Sequence, residues 1–362
     1  APGAHRAVPR PVTTPPTSAD PGRMTPLERR ASGSLAAIFA ARMLGLFLVL
    51  PVFALEARRY PGGDDPALVG LAMGIYGLTQ GLLQIPFGMA SDRFGRKRVI
   101  VIGLLVFAAG SLLAAAAASL AGLLVGRSLQ GAGAVSAAVT ALLADQTRDA
   151  VRTKAMALVG ASIGLMFALS LVVAPLLATV VGLSGLFALT GLLALGCIGV
   201  VLWWTPPEPT QHKGAGRGGL LQVLRNPALL QLDFSVFVLH AVQLAMWVAV
   251  PAMLVQAGLD KAAHWQVYLP AVLASFVVMG ATLFPLERRG YLRAVFLGAV
   301  GLIALVQMGL ALSVAAPGLA AMGGLLFLFF CGFNVLEASQ PSLASRVAPP
   351  QVRGAALGVY NT

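Results

Sequence analysis

The sequence predicts an all-α membrane protein, with ten complete transmembrane helices in two halves and the start of an eleventh. Three observations carry this. The 362 residues are 58% hydrophobic and only 10% charged, with a mean hydropathy of +0.84, whereas a soluble domain carries about 25% charged residues. Such a chain cannot cover a water-facing surface. Its apolar residues fall in runs of roughly 20 or more, long enough as helices to cross a hydrocarbon core of about 30 Å, and a helix satisfies its own backbone polar groups where lipid cannot. The charged residues gather in the gaps between these runs.

Residues 1–33 are rich in Pro, Thr and Arg without an apolar run and read as a disordered tail. The run that follows is too long for a secretory signal peptide. The chain opens at Ala1, and MTPLERR at 24–30 reads as a candidate translation start. Spans 1 to 6 are expected at about 34–55, 66–91, 98–118, 120–144, 155–181 and 183–204. The polar segment 205–227, with Pro206, Pro207, Pro209 and several glycines, reads as a linker between a first half, 34–204, and a second half, 228–362. Spans 7 to 10 are expected at about 228–257, 265–286, 294–315 and 319–344, and residues 354–362 open an eleventh.

Orientation follows from the cations. Of the 25 Lys and Arg, 20 fall in the tail, the linker and the even-to-odd gaps, and three (Arg58, Arg59 and Lys261) fall in the other gaps. That asymmetry predicts a cytoplasmic N-terminus and linker. It also accounts for the net charge of +12 without nucleic acid. Cys197 and Cys331 both lie in apolar runs, so they offer neither a disulfide framework nor metal spacing. Trp203, Trp204 and Trp265 stand at span ends, as interface anchors do.

The densest polar stretch is 88–98, which reads G-x-x-x-D-R-x-G-R-K-R through Gly88, Asp92, Arg93, Gly95, Arg96, Lys97 and Arg98. Its cations anchor a short cytoplasmic loop, but topology alone explains neither an acid beside the membrane nor glycines at both ends. In spacing and charge order the stretch resembles the signature between helices 2 and 3 of the major facilitator superfamily. ERRGYLR at 287–293 echoes it at the matching place in the second half. The resemblance implies the major facilitator fold, two six-helix halves with the substrate path between them. On that plan the chain is truncated in helix 11 and lacks helix 12. It also implies a conformational switch. Asp92 is expected at the N-terminus of helix 11 near Gly354, and Arg96 on the carboxylate of Asp145. The Asp92 contact would span the halves, and form only when the cytoplasmic side is closed.

Further stretches extend the resemblance. Span 1 carries Arg42 and then Leu44-Gly45 with Pro51 six residues on, similar to the helix 1 motif of drug:proton antiporters; Pro51 permits bending. Span 4 carries Leu123, Arg127, Gln130, Gly131 and Gly133 in the superfamily's L-x3-R-x2-Q-G-x-G pattern. Arg127 and Gln130 share a face by spacing, and an intramembrane Arg needs a wet cavity or a partner. The resemblance implies a role for Arg127 in proton coupling. Span 5 departs from the antiporter pattern: Ala161, Ser170 and Ala174 stand where glycines are usual before Pro175, so small residues persist but the match is weaker. MTPLERR, GIYGLTQ (74–80), QIPFG (84–88), HWQVYL (264–269) and GVYNT (358–362) resemble the YajR-type branch of bacterial drug:proton antiporters.

Ionisable groups inside spans mark the functional candidates. Span 7 carries Asp233 and His240, seven residues apart on one face, and span 10 carries Asn334, Glu337 and Gln340 at i, i+3 spacing. Imidazole titrates near neutral pH, and a desolvated carboxyl can be moved toward it. Glu337, His240, Arg127, Arg42 and Asp233 are therefore the proton-coupling candidates, and Gln130, Asn334 and Gln340 the substrate-path candidates; polar packing between helices is the alternative role for each. There is no phosphate loop, zinc spacing, catalytic triad or ATP motif, so neither enzyme chemistry, a metal nor a cofactor is expected beyond the proton gradient.

The reading is a multi-pass transporter of the bacterial inner membrane, monomeric, exchanging protons for small, amphipathic, drug-like molecules across the lipid bilayer. A metabolite or sugar carrier of the same fold, and a non-transporting membrane scaffold or sensor, remain the alternatives.

Overall fold

A computed structural model describes residues 22–57, 59–208, 219–260 and 263–362. Most of the expected disordered tail, 1–21, and Pro209 in the linker lie outside the described residues, as do the side chains of Pro51 and Pro175, on which the expected bend and the span 5 motif depend.

Helix α1, Pro26–Ala57, begins well ahead of the expected residue 34. The cause is a reciprocal cap: the Glu28 N–H donates to Thr25 Oγ1 (3.2 Å), and the Thr25 N–H donates to Glu28 Oε2 (2.8 Å), with Pro26 at the first helical position. The tail boundary at 33 is thus corrected, since 26–33 are helical. Helix α2, Pro66–Phe94, is capped by Asp65, which accepts from the Ala67 N–H at 2.8 Å. It stops at Gly95, whose φ of +102° only glycine adopts without strain, and α3, Arg96–Ala115, starts directly after.

The fourth span departs from expectation. It is two helices, α4 (Leu120–Ala132) and α5 (Ser136–Asp145), broken at 133–135. Gly133 leaves helical geometry (ψ +52°) where it presses on the α3 backbone. Gln84 of α2 accepts the freed Ala137 N–H at 3.1 Å, so the break leaves that donor satisfied. Spans 5 and 6 form one helical run, α6 (Asp149–Gly199), folded back on itself at Gly182 (φ +64°) and closed by a π-turn, Val200–Trp204. The linker holds a short helix, α7 (Gly219–Leu224). Then follow α8 (Pro227–Gln256), α9 (Trp265–Arg288), α10 (Leu292–Ser313), α11 (Leu319–Val347) and α12 (Arg353–Tyr360). Among the described residues there is no strand, and nine helical stretches are long and apolar enough to cross a membrane; the broken α4–α5 pair is the tenth expected crossing.

The first half is built around α1, which packs on both legs of α6: Leu35, Ile38 and Phe39 meet Met156, Val159 and Cys197, while Val52 and Phe53 meet Leu186 and Phe187. The second half has its own core, with Phe329 and Phe330 of α11 against Met246, Met279 and Ile303. A further cluster joins Ala137 and Ala141 of α5 to Ala355, Ala356 and Leu357 of α12. Large apolar side chains such as Leu82, Ile102, Val277 and Leu312 point outward and are more than half exposed, as lipid contact requires. The loops rich in Arg, around 93–98, 148–154, 288–293 and 346–353, meet at one end, the basic end of the bundle.

Candidate functional site

Two sites emerge: a cavity between the halves, and a network of charged groups at the basic end. The cavity has a volume of about 590 Å³. Phe47 of α1 and Gly160, Gly164 and Phe167 of α6 face it from the first half; α8, α9 and α11 supply the second wall, including Phe276 and Phe333. Most of the lining is apolar. Its polar groups are His240, Gln243, Tyr268, Asn334 and Glu337.

His240 Nε2 lies 3.7 Å from Glu337 Oε2, longer than a hydrogen bond, while His240 Nδ1 lies 3.0 Å from the Val236 carbonyl oxygen. A carbonyl only accepts, so Nδ1 carries a proton. Neutral His240 therefore turns the lone pair of Nε2 toward Glu337. With Glu337 ionised, two acceptors face each other; one further proton, on either group, makes the pair attractive. Glu337 Oε2 is buried and has no hydrogen-bond partner among the described residues, which fits a site for that proton. Phe333 meets the imidazole edge-on, with ring centroids 5.9 Å apart.

The other intramembrane polar residues fall elsewhere. Asn334 lines the cavity and donates to Ser275 Oγ at 2.7 Å. Gln340 is fully buried behind the cavity, where its amide donates to Ser235 Oγ (2.8 Å). Asp233 does not line the cavity; its Oδ2 is buried without a hydrogen-bond partner among the described residues, two turns along α8 from His240.

Arg42, Arg127 and Gln130 lie inside the first half and do not line this cavity. Arg127 donates to the carbonyls of Ala72 (3.4 Å) and Met73 (3.2 Å) and to Gln130 Oε1 (2.8 Å), and its guanidinium lies 5.0 Å from the Tyr76 ring centre. Gln130 in turn donates to Ser111 at 2.9 Å. Arg42 donates to Ser136 Oγ (3.0 Å), the Tyr76 hydroxyl (3.0 Å) and Gln80 Oε1 (2.8 Å), and stacks over Phe107. Among the described residues neither Arg has a carboxylate partner. Carbonyls, amides and aromatic faces hold them, and bind α1, α2, α3, α4 and α5 into one body. Gln130 and Gln340, expected on the substrate path, do not line this cavity; their amides donate to Ser111 and Ser235.

At the basic end, Asp92 accepts from the N–H groups of Gly354 and Ala355, both at 2.8 Å, at the first turn of α12. A carboxylate there meets free N–H groups and a partial positive charge. The approach needs glycine on both sides: a Cβ at Gly88 would collide with the Gly354 carbonyl, and one at Gly354 with the Gly88 carbonyl. Arg96, 2% exposed, donates to Asp92 Oδ1 (2.5 Å), Ser91 Oγ (2.7 Å) and Asp145 Oδ2 (3.1 Å). Asp145 also accepts from Arg353, and so joins the two halves a second time. Arg93 points away, over the Phe94 ring. Gly88, Asp92, Gly95, Arg96 and Asp145 thus form one network.

Sequence reasoning missed a second cross-half group. Thr153 of α6 donates to Glu287 of α9 (2.7 Å), and its hydroxyl lies 2.9 Å from Ser342 Oγ of α11; Arg346 donates to Glu287 (2.6 Å) and to the Asp149 carbonyl (2.8 Å). These bonds lie about one turn beyond Ala157 and Ala338, which line the cavity, so they close its floor toward the basic end. The signal was the ERRGYLR echo, which places an acid at the end of α9 as Asp92 ends α2. Arg353 was counted only as a loop cation. Glu28, which accepts from Arg148 at 2.8 and 3.0 Å, fell in the tail.

Comparison with known proteins agrees with this geometry. The Major Facilitator Superfamily model matches residues 33–362. The chain is 42% identical over 344 residues to the inner membrane transport protein YajR of Escherichia coli K12, covering 94% of this chain and 75% of the relative. It is 28% identical over 327 residues to the multidrug resistance protein MdtH of Aeromonas salmonicida, covering 87% and 79%. The human organic anion transporter MFSD10 has the same fold, with a TM-score of 0.74 at 18% identity over 93% of this chain and 90% of that one. A bundle of apolar helices in two halves, a cavity between them, and an acid of one half capping a helix of the other thus converge with a family match over nearly the whole chain: this protein belongs to the major facilitator superfamily of membrane transporters.

Proposed function

We propose that this transporter exports small amphipathic molecules in exchange for protons, across the bacterial inner membrane, working as a monomer with its basic end in the cytoplasm. The His240–Glu337 pair carries the proposal. It is a proton-accepting pair with an unpartnered buried oxygen, set in a largely apolar cavity between two halves. The cation asymmetry supports the orientation, and the relative named a multidrug resistance protein supports a drug-like substrate.

With the basic end in the cytoplasm, this conformation is the one closed on the cytoplasmic side. A proton arriving from outside settles between His240 and Glu337 and makes the pair attractive, which draws α8 toward α11 in the wall of the cavity. Opening the basic end then breaks the Asp92 and Asp145 contacts, exposes the cavity to the cytoplasm and releases the proton there. Substrate enters, and the clamp re-forms on return. Each step is a shift between two states by differential binding. The apolar aromatic walls favour an amphipathic guest over a sugar, which would need many more hydrogen-bond partners. Proteoliposomes with an imposed proton gradient test the reading across a panel of lipophilic cations, neutral amphiphiles and sugars: uptake of amphiphiles that collapses with the gradient supports it, and gradient-independent uptake of sugars overturns it.

A further inference from the structure

Helix α3 starts at the switch loop, and its N-terminus has no local cap. The residue before it, Gly95, has no side chain. The missing acceptor comes from 112 residues later in the chain: Glu208 accepts from the Arg96 N–H through Oε2 (3.1 Å) and from the Lys97 N–H through Oε1 (2.5 Å).

The arm that delivers Glu208 is fixed along its length. The π-turn at the end of α6 returns the Thr205 N–H to the Val200 carbonyl (2.9 Å). Arg30 of α1 takes the Trp203 and Trp204 carbonyls (3.0 and 2.6 Å), and Lys97 reaches back to the Thr205 carbonyl (2.7 Å). Pro206 and Pro207 stiffen the arm and have no N–H to satisfy; Gln146, next to Asp145, donates to both their carbonyls (2.9 and 3.2 Å). The chain that crosses to the second half therefore leaves from the switch itself.

We propose that Glu208 is a positioning residue for the switch: it holds the first turn of α3 so that the Arg96 side chain stays on Asp92 and Asp145. A carboxylate at a helix N-terminus gains from both free N–H groups and the helix dipole. Without it, the first turn of α3 loosens and Arg96 releases the two acids that close the basic end. Glu208 lies at the start of the linker and caps a helix of the first half, so in this proposal it acts on closure through Arg96. The inference rests on the clamp described above, and the test separates the two.

Spin labels on Ala150→Cys and Tyr291→Cys, both exposed at the basic end and one in each half, report the closed and open distances of the full chain in liposomes. Asp92→Asn, Glu208→Ala, Glu208→Gln and the Asp92→Asn/Glu208→Ala double variant are compared. Glu208→Ala is expected to raise the open-to-closed ratio roughly fivefold, the size of a lost helix cap. Glu208→Gln, which keeps one acceptor, should raise it less. The double variant should raise the ratio by less than the product of the two single effects, because both act through Arg96 on one clamp. A purely structural role would lower thermal stability and leave the ratio unchanged, and that result overturns the inference, as does an additive double variant. If Asp92→Asn itself leaves the ratio unchanged, the clamp falls and this inference falls with it.

Discussion

Arg353 of the second half and Asp145 of the first are hydrogen-bonded across the closed basic end, with Arg96 on the other oxygen of the same carboxylate. One acid thus serves a cation from each half, and its two bonds have different fates. The Arg96 bond stays within the first half, whereas the Arg353 bond must break when the basic end opens. Asp145 keeps Arg96 when Arg353 is removed, so the loss is that of one charge-assisted hydrogen bond, about 1.5–3 kcal/mol, and Arg353→Ala should shift the protein toward the state open at the basic end. Restoring the cation as Lys should recover part of the closure. Cysteine labelling from the cytoplasmic side measures this, and unchanged labelling in Arg353→Ala would remove the bond from the switch.

Asp92→Asn keeps one acceptor for the Gly354 and Ala355 N–H groups but loses the charge opposite the helix terminus. A charge in that position stabilises by about 0.3–1 kcal/mol, up to ~2 when partly buried. The equilibrium should move toward the state open at the basic end by up to roughly 30-fold, and turnover should slow. Normal turnover with unchanged labelling would leave the loop as a topological anchor only.

Arg127 donates in three directions, to two carbonyls of α2 and to Gln130. Lysine has a compact ammonium in place of a planar fork, so Arg127→Lys should leave at least one acceptor unmet and lower stability by about 1–3 kcal/mol. Thermal unfolding in detergent checks this. Lost proton coupling at full stability would instead give the side chain a direct role that its buried position does not suggest.

The reciprocal cap of Thr25 and Glu28 predicts that Thr25→Ala lowers stability by about 1 kcal/mol. Limited proteolysis should then cut within residues 26–33. Unchanged resistance there would mean that the Glu28–Arg148 contact alone holds the start of α1.

Much of the architecture was legible in the sequence, because lipid leaves so few options. Apolar length set the spans, the cations set the ends, and the glycine-flanked Asp92 pointed to a helix terminus. Three features were not legible. The break at Gly133 arises because α4 meets the α3 backbone, a tertiary contact that overrides a continuous apolar run. The start of α1 was hidden because a capping box beside a Pro-rich tail looks like more tail. The partition of polar residues was also hidden: Gln130 and Gln340 resemble path residues by spacing, yet Ser111 and Ser235 occupy them. Spacing fixes which residues share a face. It does not fix whether that face meets a cavity or another helix.

On the proposed mechanism the proton rides on the His240–Glu337 pair. Glu337→Gln matches the protonated acid in shape but cannot ionise, so His240 is left with no carboxylate to hold a proton against. The direct measurement is transport by this variant in proteoliposomes, in two modes: efflux driven by a proton gradient, and substrate exchange with no gradient. Gradient-driven efflux should be abolished while exchange continues near the original rate. Undiminished gradient-driven efflux would contradict the claim and place proton coupling elsewhere in the protein.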